Sequence, residues 1–373
     1  SARAQEGVAV SVRVADVLQA VHDRFPPEWA EPWDRVGLLA GDPAAVVERV
    51  FVSLDATPSA LRSARAAGAQ VLATHHPAFL TAPEALVPAR AGVTFEAVAS
   101  GVALMAAHTN LDRAPAAAMA LPRMLGIREA APLEDNEWRA SLVTVYVPQS
   151  HEAQVASAMA AAGAGRIGEY TGCSFSAAGI GRFIPPAEGE PFTGVPGVPS
   201  SAEEVRLEMV APKGRAAGVV AAARDSHPYE EPLVVVADVA VARGTARLGR
   251  VGALEAPTTL SAFADAVARV FDVTPRVWGE RDHGVSVVAT ATGSAGSLVP
   301  AAIGAGAHVL LAGEVRYHDA RAAHEAGLAV IEIGHDTSEW PLVPVLAEAI
   351  GSAPGLADIS VIVDSPTMLW WNP

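Results

Sequence analysis

Apolar strand-like segments and helical segments alternate through the first and last thirds of the chain. One strand-like segment, Val50–Asp55, precedes a helix that begins at Thr57-Pro58 and ends at Gly68. Strands that alternate with helices form βαβ units, in which helices cover both faces of a mainly parallel sheet. With 373 residues, the chain has material for about two domains and a sizeable core. The predicted fold class is therefore α/β.

The alternation breaks near Glu134. From there to about Arg250 the apolar pattern predicts the order β-α-β-β-α-β, with a hairpin within Gly163–Gly181 and a turn-rich loop at 185–199. This order is typical of a ferredoxin-like α+β domain. We therefore predict a discontinuous α/β domain, residues 8–137 and 246–373, that carries an insert of residues 138–245.

The composition argues against several classes of protein. The net charge is −15, and a nucleic-acid groove needs clustered Lys and Arg, so we expect no nucleic-acid partner. Cys173 is the only cysteine, which rules out an intrachain disulfide and a cysteine-rich zinc site. No apolar run is long enough to cross a bilayer, and Ser1–Gly7 resembles an unstructured leader rather than a secretory signal. We expect a cytoplasmic protein with no membrane partner.

Three apolar segments end in side chains that can bind a metal ion. Because ligands bind at the carboxyl ends of strands in open α/β sheets, we expect these segment ends to converge. Adjacent histidines alone are explained equally well as a strand-end cap, so the case for a metal depends on all three segments together. They end in Thr74-His75-His76-Pro77, in His108-Thr109-Asn110-Leu111-Asp112 and in Gly334-His335-Asp336-Thr337-Ser338-Glu339.

These segments belong to a set of five motifs that occur in a fixed order. The other two are Trp33-Asp34-x-Val36-Gly37-Leu38 and Gly313-Glu314-x-x-Tyr317-His318-Asp319-Ala320. In this order the motifs resemble the Nif-three-like family, whose members often carry the name GTP cyclohydrolase 1 type 2, and the resemblance begins at about Val12. Two features depart from the family pattern: Arg35, where members often have Asn, and the tail that contains Trp370-Trp371.

A further set of motifs lies in the predicted insert. It resembles the insert of longer bacterial members of the family, which is similar to PII and CutA-type trimeric domains. The last of these motifs could be a second ligand site, although a turn that leads into the final strand of the insert explains it more simply. We expect Cys173 to be a small buried hydrophobe. The motifs are Tyr170-x-x-Cys173-Ser174-Phe175, Gly179-x-Gly181-x-Phe183 and His227-Pro228-Tyr229-Glu230-Glu231-Pro232.

The resemblance implies a dinuclear metal centre. Its metal ligands match His75, His76, Asp112, His335 and Glu339. Five nitrogen and oxygen donors without a thiolate suit two divalent ions, with Zn, Fe, Mn and Co all open. His335 and Glu339 are four residues apart and would share one face at the start of a helix, where the N-terminus favours a carboxylate. Ligating histidines need hydrogen-bond acceptors, and the candidates are Asp55, Glu314 and Glu332.

The sequence leaves the catalytic residues open beyond a metal-bound water. His108, Glu314 and His318 are candidates for the same cavity, although His318 could equally be a locally satisfied helix residue, and Asp336 is expected to be a local cap. The family implies attack of a metal-bound hydroxide on the imidazole ring of GTP, with release of formate, and the same site could hydrolyse a phosphoester. A Walker-type phosphate loop is absent from the sequence, which weakens the case for GTP.

A second function class remains open beside the hydrolase. The chain could be a metal-binding regulatory or interaction protein without turnover, in which the PII-like insert senses a small ligand. The family also implies a toroidal homohexamer built from trimers, with a small molecule or nucleotide as ligand. Trp370-Trp371 is either an interface anchor or a tail packed on its own domain.

Overall fold

The computed structural model describes residues 11–168, 170–242 and 244–366, with the side chain of Trp138 excepted. The predicted leader Ser1–Gly7 and the Trp370-Trp371 pair lie outside the described residues. The described chain forms two compact units, one from the described parts of Ser1–Asp135 and Thr245–Pro373 and one from Asn136–Gly244. That each unit folds as a domain of its own, with the boundaries given above, stays a prediction. None of the helices in the described ranges is long and apolar enough to cross a membrane.

The larger unit opens with alternating strands and helices. A single turn of 3-10 helix, Pro27–Trp29, lies between the first helix and the first strand. Up to the insert the elements are α1 (Val14–Arg24), β1 (Gly37–Ala40), β2 (Arg49–Ser53), α2 (Pro58–Ala66), β3 (Val71–Thr74), α3 (Pro88–Ser100), β4 (Ala103–Ala106), α4 (Thr109–Arg113), α5 (Pro115–Ala118), α6 (Ala120–Met124) and β5 (Ala131–Pro132).

The smaller unit has the predicted order β-α-β-β-α-β. The hairpin predicted within Gly163–Gly181 is present only as an isolated antiparallel bridge between Ile167 and Tyr170. Residues from Phe175 onward instead form one long strand that pairs with the strand after the loop at 184–199. Cys173 is half-buried rather than buried. The elements are β6 (Trp138–Pro148), α7 (Glu152–Ala161), β7 (Phe175–Phe183), β8 (Ser200–Pro212), α8 (Ala216–Asp225) and β9 (Val234–Val241).

After the insert, the chain returns to alternating elements. The helix predicted from Trp340 to Ile350 is confirmed over Leu342–Gly351, and a separate short helix, His335–Glu339, precedes it across Trp340-Pro341. The elements are β10 (Arg250–Thr259), α9 (Leu260–Phe271), β11 (Arg276–Trp278), β12 (Gly284–Ser294), α10 (Val299–Gly304), β13 (Val309–Glu314), α11 (Tyr317–Glu325), β14 (Ala329–Glu332), α12 (His335–Glu339), α13 (Leu342–Gly351) and β15 (Ser360–Val363).

Local sequence signals set the ends of helix α2. The Thr57 side chain caps the helix by accepting a hydrogen bond from the Ala60 N–H at 3.0 Å, and Pro58 occupies the first helical position. Gly68 then turns the chain toward β3 with a φ of +70°, which a glycine adopts without strain. The predicted helix is therefore confirmed at both ends.

The first sheet has the strand order β1-β4-β3-β2-β15. Strands β4, β3, β2 and β15 run parallel, and β1 is an antiparallel edge strand. Helices cover both faces, because Val71 and Ala73 point into a core with α1 and α13, whereas Leu72 points into one with α2 and α3. Thr74 lies opposite Ala106, so that β3 and β4 end side by side at their carboxyl ends.

The second sheet is mixed, with the order β11-β14-β13-β12-β10-β5. Its centre, β12, β13 and β14, is parallel, and the flanking strands are antiparallel to their neighbours. Leu310 and Ala312 face a core with α10 and α11, while Val309 and Leu311 face one with α9. The predicted α/β fold, in which helices cover both faces of each sheet, is thus confirmed. The predicted parallel pairing is found in most of the first sheet and in the centre of the second.

The insert begins and ends at neighbouring points of the second sheet. Strands β5 and β10 pair as antiparallel neighbours, with Ala131 opposite Val251. Beyond this pairing, the Glu134 N–H donates to the Leu248 carbonyl at 3.0 Å, and the Leu248 N–H donates to the Glu134 carboxylate at 2.8 Å. The chain therefore leaves the larger unit and returns to it through residues that are hydrogen-bonded to one another.

The Arg113 guanidinium is buried at the end of α4 and ties three segments together. It donates to the carboxylates of Glu134 and Glu31, at 2.9 and 2.6 Å from Nη2, and to the Trp29 carbonyl at 3.0 Å from Nη1. Burial lowers the pKa of Arg113, but the two carboxylates more than offset this and raise it, so the side chain stays charged. Arg113 therefore holds α4 in place through a network of charged hydrogen bonds.

We expect Arg113→Ala to lower the free energy of unfolding by about 3–5 kcal/mol, because two carboxylates would lose their buried cationic partner. Urea unfolding followed by circular dichroism measures this loss. Arg321→Ala is the matched control, since Arg321 forms an exposed ion pair with Glu325 and its loss should cost at most about 0.5 kcal/mol. Equal losses for the two variants would contradict this role of Arg113.

Candidate metal centre

Strand β3 delivers two adjacent histidines to the carboxyl edge of the first sheet. The His76 N–H donates to the Leu54 carbonyl at 2.9 Å, and the Thr74 hydroxyl donates to the His76 carbonyl at 2.6 Å. These bonds curl the backbone at the strand end, so the two rings lie on the same side with centroids 4.9 Å apart. The next strand, β4, brings His108 alongside them, 5.2 Å from the His75 ring.

Each of four histidines has its Nδ1 atom next to an oxygen acceptor. An acceptor at Nδ1 holds the ring proton there and leaves Nε2 free to bind a metal ion. Four separate segments of the chain supply these acceptors, which fixes the ring orientations. The Nδ1–oxygen distances are 3.0 Å from His75 to the Ala107 carbonyl, 2.8 Å from His76 to Asp55, 2.8 Å from His108 to Asp34 and 3.2 Å from His335 to Glu314.

The Nε2 atoms converge with two carboxylates. Glu339 Oε2 lies 2.9 Å from His76 Nε2, and Glu339 Oε1 lies 3.2 Å from His335 Nε2 and 3.7 Å from His75 Nε2. Asp112 Oδ1 lies 3.6 Å from His75 Nε2. Among the described residues, three groups have ligand atoms within 4.8 Å of one another: His75 with His76 and His108, His76 with His335 and Glu339, and His75 with Asp112 and Glu339.

Two buried atoms in this cluster lack a hydrogen-bond partner among the described residues. They are His75 Nε2 and Glu339 Oε2, and the short approach of His76 to Glu339 does not have hydrogen-bond geometry. Buried polar atoms are nearly always satisfied, so unsatisfied atoms that face one another indicate a ligand. Imidazole and carboxylate donors without a thiolate suit Zn, Fe, Mn or Co. The residues at this position therefore fit a divalent metal ion.

Helix α12 reaches the cluster because two strand residues have no side chain. A Cβ at Gly293 on β12 would collide with the Glu339 carboxylate, and one at Gly313 on β13 would collide with the Ser338 hydroxyl. Ser338 in turn accepts from the Gly293 N–H at 2.9 Å and donates to the His335 carbonyl at 2.8 Å. These contacts hold α12 against the bare backbone of the second sheet, with His335 and Glu339 on one face.

The electrostatics of the cluster favour positive charge. Burial raises the pKa of Asp112, and the nearby Glu339 carboxylate raises it further. Burial would also raise the pKa of Glu339, but the surrounding histidines lower it well below its usual value. Burial would lower the pKa of His76, but the carboxylates of Asp55 and Glu339 raise it to about 10, and Glu339 raises that of His335 to about 9. Protons bound to the histidines therefore balance the negative charge of the carboxylates, as a metal cation could do in their place.

The structure brings together the five residues that the sequence suggested as ligands. Two local expectations were wrong: Asp112 lies on the short helix α4 rather than at a strand end, and Glu339 is the last residue of α12 rather than a residue near its N-terminus. The Asp112 carboxylate is oriented by the Thr292 hydroxyl, which donates to it at 2.9 Å. Asp336 was also wrongly expected to be a local cap, because Gly334 holds the N-cap position of α12 and Asp336 lies in the first turn, where it accepts from the N–H of Thr337.

The other candidate residues divide into two groups. Asp55 and Glu314 contact ligand histidines, and His108 belongs to the cluster itself. Glu332 was wrongly expected to support a ligand, because its carboxylate accepts instead from Arg276 and from Trp278. His318 is exposed and its ring contacts Tyr317; it belongs to none of the three groups.

Sequence reasoning missed several residues that build the centre. Asp34 is buried, accepts from the N–H and hydroxyl of Thr109, and holds His108. Burial would raise the pKa of Asp34, but His108 and Thr109 lower it to about 2, so the carboxylate stays charged. The Trp33-Asp34 motif could have signalled this residue. No comparable motif marks the other three residues, which are Thr292, Gly293 and Gly313.

Comparisons with known proteins agree with this geometry. Residues 12–365 match the family model described as Duf34/NIF3 (NGG1p interacting factor 3). A Mycobacterium leprae protein named GTP cyclohydrolase 1 type 2 homolog is 35% identical over 97% of this chain and 96% of its own length, and a Bacillus subtilis protein of the same name is 35% identical over 88% and 89%.

Solved structures are similar along nearly the whole chain. A Bacillus cereus protein related to NIF3 has 28% identity and a TM-score of 0.62, and covers 96% of this chain and 98% of its own. The Staphylococcus aureus protein SA1388 shares the fold, with 22% identity, a TM-score of 0.65, and coverage of 97% of this chain and 99% of its own. The resemblance inferred from the motifs is thus confirmed, and the chain belongs to the Duf34/NIF3 family.

Proposed function

We propose that this protein binds two divalent metal ions and uses them to hydrolyse a nucleotide or a related small molecule. The observation that carries the proposal is the pair of ligand groups that share Glu339, one with His76 and His335 and one with His75 and Asp112. Two neighbouring ligand groups that share a carboxylate are suited to a pair of closely spaced ions. Glu339 and the two pairs of side chains would then hold the ions, which would act as Lewis acids when bound.

The proposed ligands can be tested by metal analysis of the protein as purified. We expect about two ions per chain, and we expect Glu339→Ala to lose nearly all of both because each ligand group contains Glu339. Elemental analysis by mass spectrometry measures the content. His318→Ala is the control, since this exposed histidine lies outside the groups and its variant should keep both ions. Full metal content in Glu339→Ala would exclude the proposed site.

His108 is the residue best placed to move a proton beside the ions. Its Nδ1 is held by the charged Asp34 carboxylate, and its ring belongs to one ligand group with His75 and His76. Bound divalent ions would act as Lewis acids and lower the pKa of a water molecule. His108 could then accept or donate a proton at Nε2, while Asp34 keeps the ring in the required tautomer.

The surroundings of His108 favour a planar substrate. The Trp33 side chain is 57% exposed, and its ring centroid lies 6.1 Å from that of His108. An exposed indole at the edge of the ligand cluster offers a stacking surface for a base. Arg35 is also exposed on this segment, with its Nε donating to the Leu80 carbonyl at 3.1 Å, and could contact an anionic group. These features support a nucleotide, in line with the name that the relatives carry.

We expect His108→Gln and Asp34→Asn to lower kcat by about 10²–10⁴-fold, because each removes or misorients the proposed proton carrier. Formate release from GTP and hydrolysis of bis(p-nitrophenyl) phosphate distinguish ring opening from phosphoester cleavage. His324→Ala, an exposed histidine of α11, is the control. Metal analysis of each variant is part of the test. Unchanged kcat in metal-loaded His108→Gln would rule out this role.

A second function is supported by a separate observation, namely a large cavity in the smaller unit. A metal-binding regulatory protein that senses a ligand through the insert would need such a cavity. Stable metal binding without turnover of either substrate would favour this class over the hydrolase.

We further propose that the protein is a cytoplasmic homohexamer built from trimers through its insert. The exposed apolar edge of the insert supports self-association, because β9 is an outer strand and Val235 and Val236 are 42% and 48% exposed. Light scattering coupled to size exclusion should give about six times the chain mass of 38.3 kDa. A monomer mass at micromolar concentration would contradict the assembly.

A further inference from the structure

A cavity of about 990 Å³ lies within the smaller unit, between β7, the loop at 184–199 and the segment before β9. Its volume is in the range of small-molecule sites. Two motifs that the metal centre leaves unused contribute to its lining: Gly179-x-Gly181-x-Phe183 supplies the strand β7, and His227–Pro232 supplies Tyr229, Glu230 and Glu231.

The Glu204 carboxylate is held in a fixed position in this cavity. The Tyr229 hydroxyl donates to its Oε1 at 2.9 Å. The carboxylate also lies against the backbone of Gly181, where a Cβ would collide with both oxygens. Arg206, on the same face of β8, pairs with Glu208 instead. Glu204 therefore presents a negative charge that forms no ion pair with a described cation.

A buried histidine keeps Tyr229 in place. His227 Nδ1 accepts from the Tyr229 N–H at 3.0 Å, so its proton is on Nε2, which donates to the Tyr146 carbonyl at 2.9 Å. Burial lowers the pKa of His227, which keeps the ring neutral, and burial raises the pKa of Tyr229, which keeps the hydroxyl proton. The carboxylate is thus positioned by a chain of hydrogen bonds before any ligand binds.

Aromatic rings line the same cavity as the carboxylate. The Tyr229 ring centroid lies 6.4 Å from that of Phe183 and 6.1 Å from that of Phe192, and Phe192 is 50% exposed. Ring faces attract organic cations, and a carboxylate among them adds a direct ion pair. Arg182 also contributes to the lining, but strand alternation directs its side chain away from the face of Gly181 and Phe183.

We propose that this cavity binds a small organic cation, with an ammonium or guanidinium group paired to Glu204 and an apolar body against Phe183 and Phe192. Glu230 and Glu231 also line the cavity and add negative charge. The described cations of the lining are Arg206, which already pairs with Glu208, and Arg182, which lies on the other face of β7. This site uses none of the residues of the metal centre, and the proposal does not depend on the hydrolase activity.

Isothermal titration calorimetry of the full chain with a matched pair of probes tests the charge preference. 2-Phenylethylamine is a cation at pH 7 and phenylacetate is an anion, and both carry the same ring on a short chain. We expect the amine to bind more tightly than the acid by about tenfold or more. Equal or tighter binding of phenylacetate, or no binding of the amine at millimolar concentration, would overturn the proposal.

Matched variants locate the binding site. Glu204→Gln should weaken amine binding by about tenfold, and Tyr229→Phe by a few-fold because the carboxylate loses its positioning bond. Glu203→Gln is the control: Glu203 is the adjacent residue of β8, is exposed and points to the opposite face of the strand. Unchanged affinity in Glu204→Gln would overturn the proposal.

Contact with a second copy of the chain is the competing use of these rings. Phe192→Ala removes an exposed ring without disturbing the hydrogen bonds, and serves also if Glu204→Gln fails to fold. We expect weaker amine binding at unchanged mass by light scattering. A change of mass with unchanged amine affinity would show a subunit contact and overturn the ligand site.

Discussion

Burying two carboxylates beside unpaired imidazole nitrogens raises the free energy of the folded state. The rest of the larger unit has to provide positive charge that offsets this penalty. Asp112 and Glu339 are 9% and 3% exposed, and the Nε2 atom of His75 has no hydrogen-bond partner among the described residues. Without positive charge, the two carboxylates would repel one another in a region of low dielectric constant. The raised pKa values of the histidines provide that charge through bound protons. A pair of divalent ions would provide it more strongly.

The cluster depends on the parallel strands of both sheets. Because β3 and β4 run parallel in register, their ends place His75, His76 and His108 together, and the parallel centre of the second sheet brings α12 to the same point. Acceptors from three loop segments and from the end of β13 then orient the rings. Ligand positions set by the scaffold before binding lose little freedom when a metal is bound, which is the basis of tight metal sites.

The sequence predicted the parts of the site that combine a local pattern with a chemical type. Apolar runs that end in histidine identified β3 and the segment after β14, and the four-residue spacing of His335 and Glu339 identified their common face. The sequence could not show that the missing side chains of Gly293 and Gly313 allow α12 to pack against the second sheet, because that contact joins residues far apart in the chain. Strand β10 was also missed, since its pattern is partly exposed and interrupted by an irregular pairing. Asp34 was quoted within a motif, but its role depends on a contact with His108 across 74 positions.

The insert leaves and re-enters the larger unit at one point, which determines what else could occupy this position. Glu134 and Leu248 are joined by hydrogen bonds in both directions, so the whole insert replaces the tip of a β-hairpin formed by β5 and β10. The entropy of closing a loop grows only with the logarithm of its length, and a folded insert with adjacent ends adds little to it. Shorter or longer substitutes could therefore be exchanged at this hairpin during evolution while the arrangement of the five ligand side chains stayed the same.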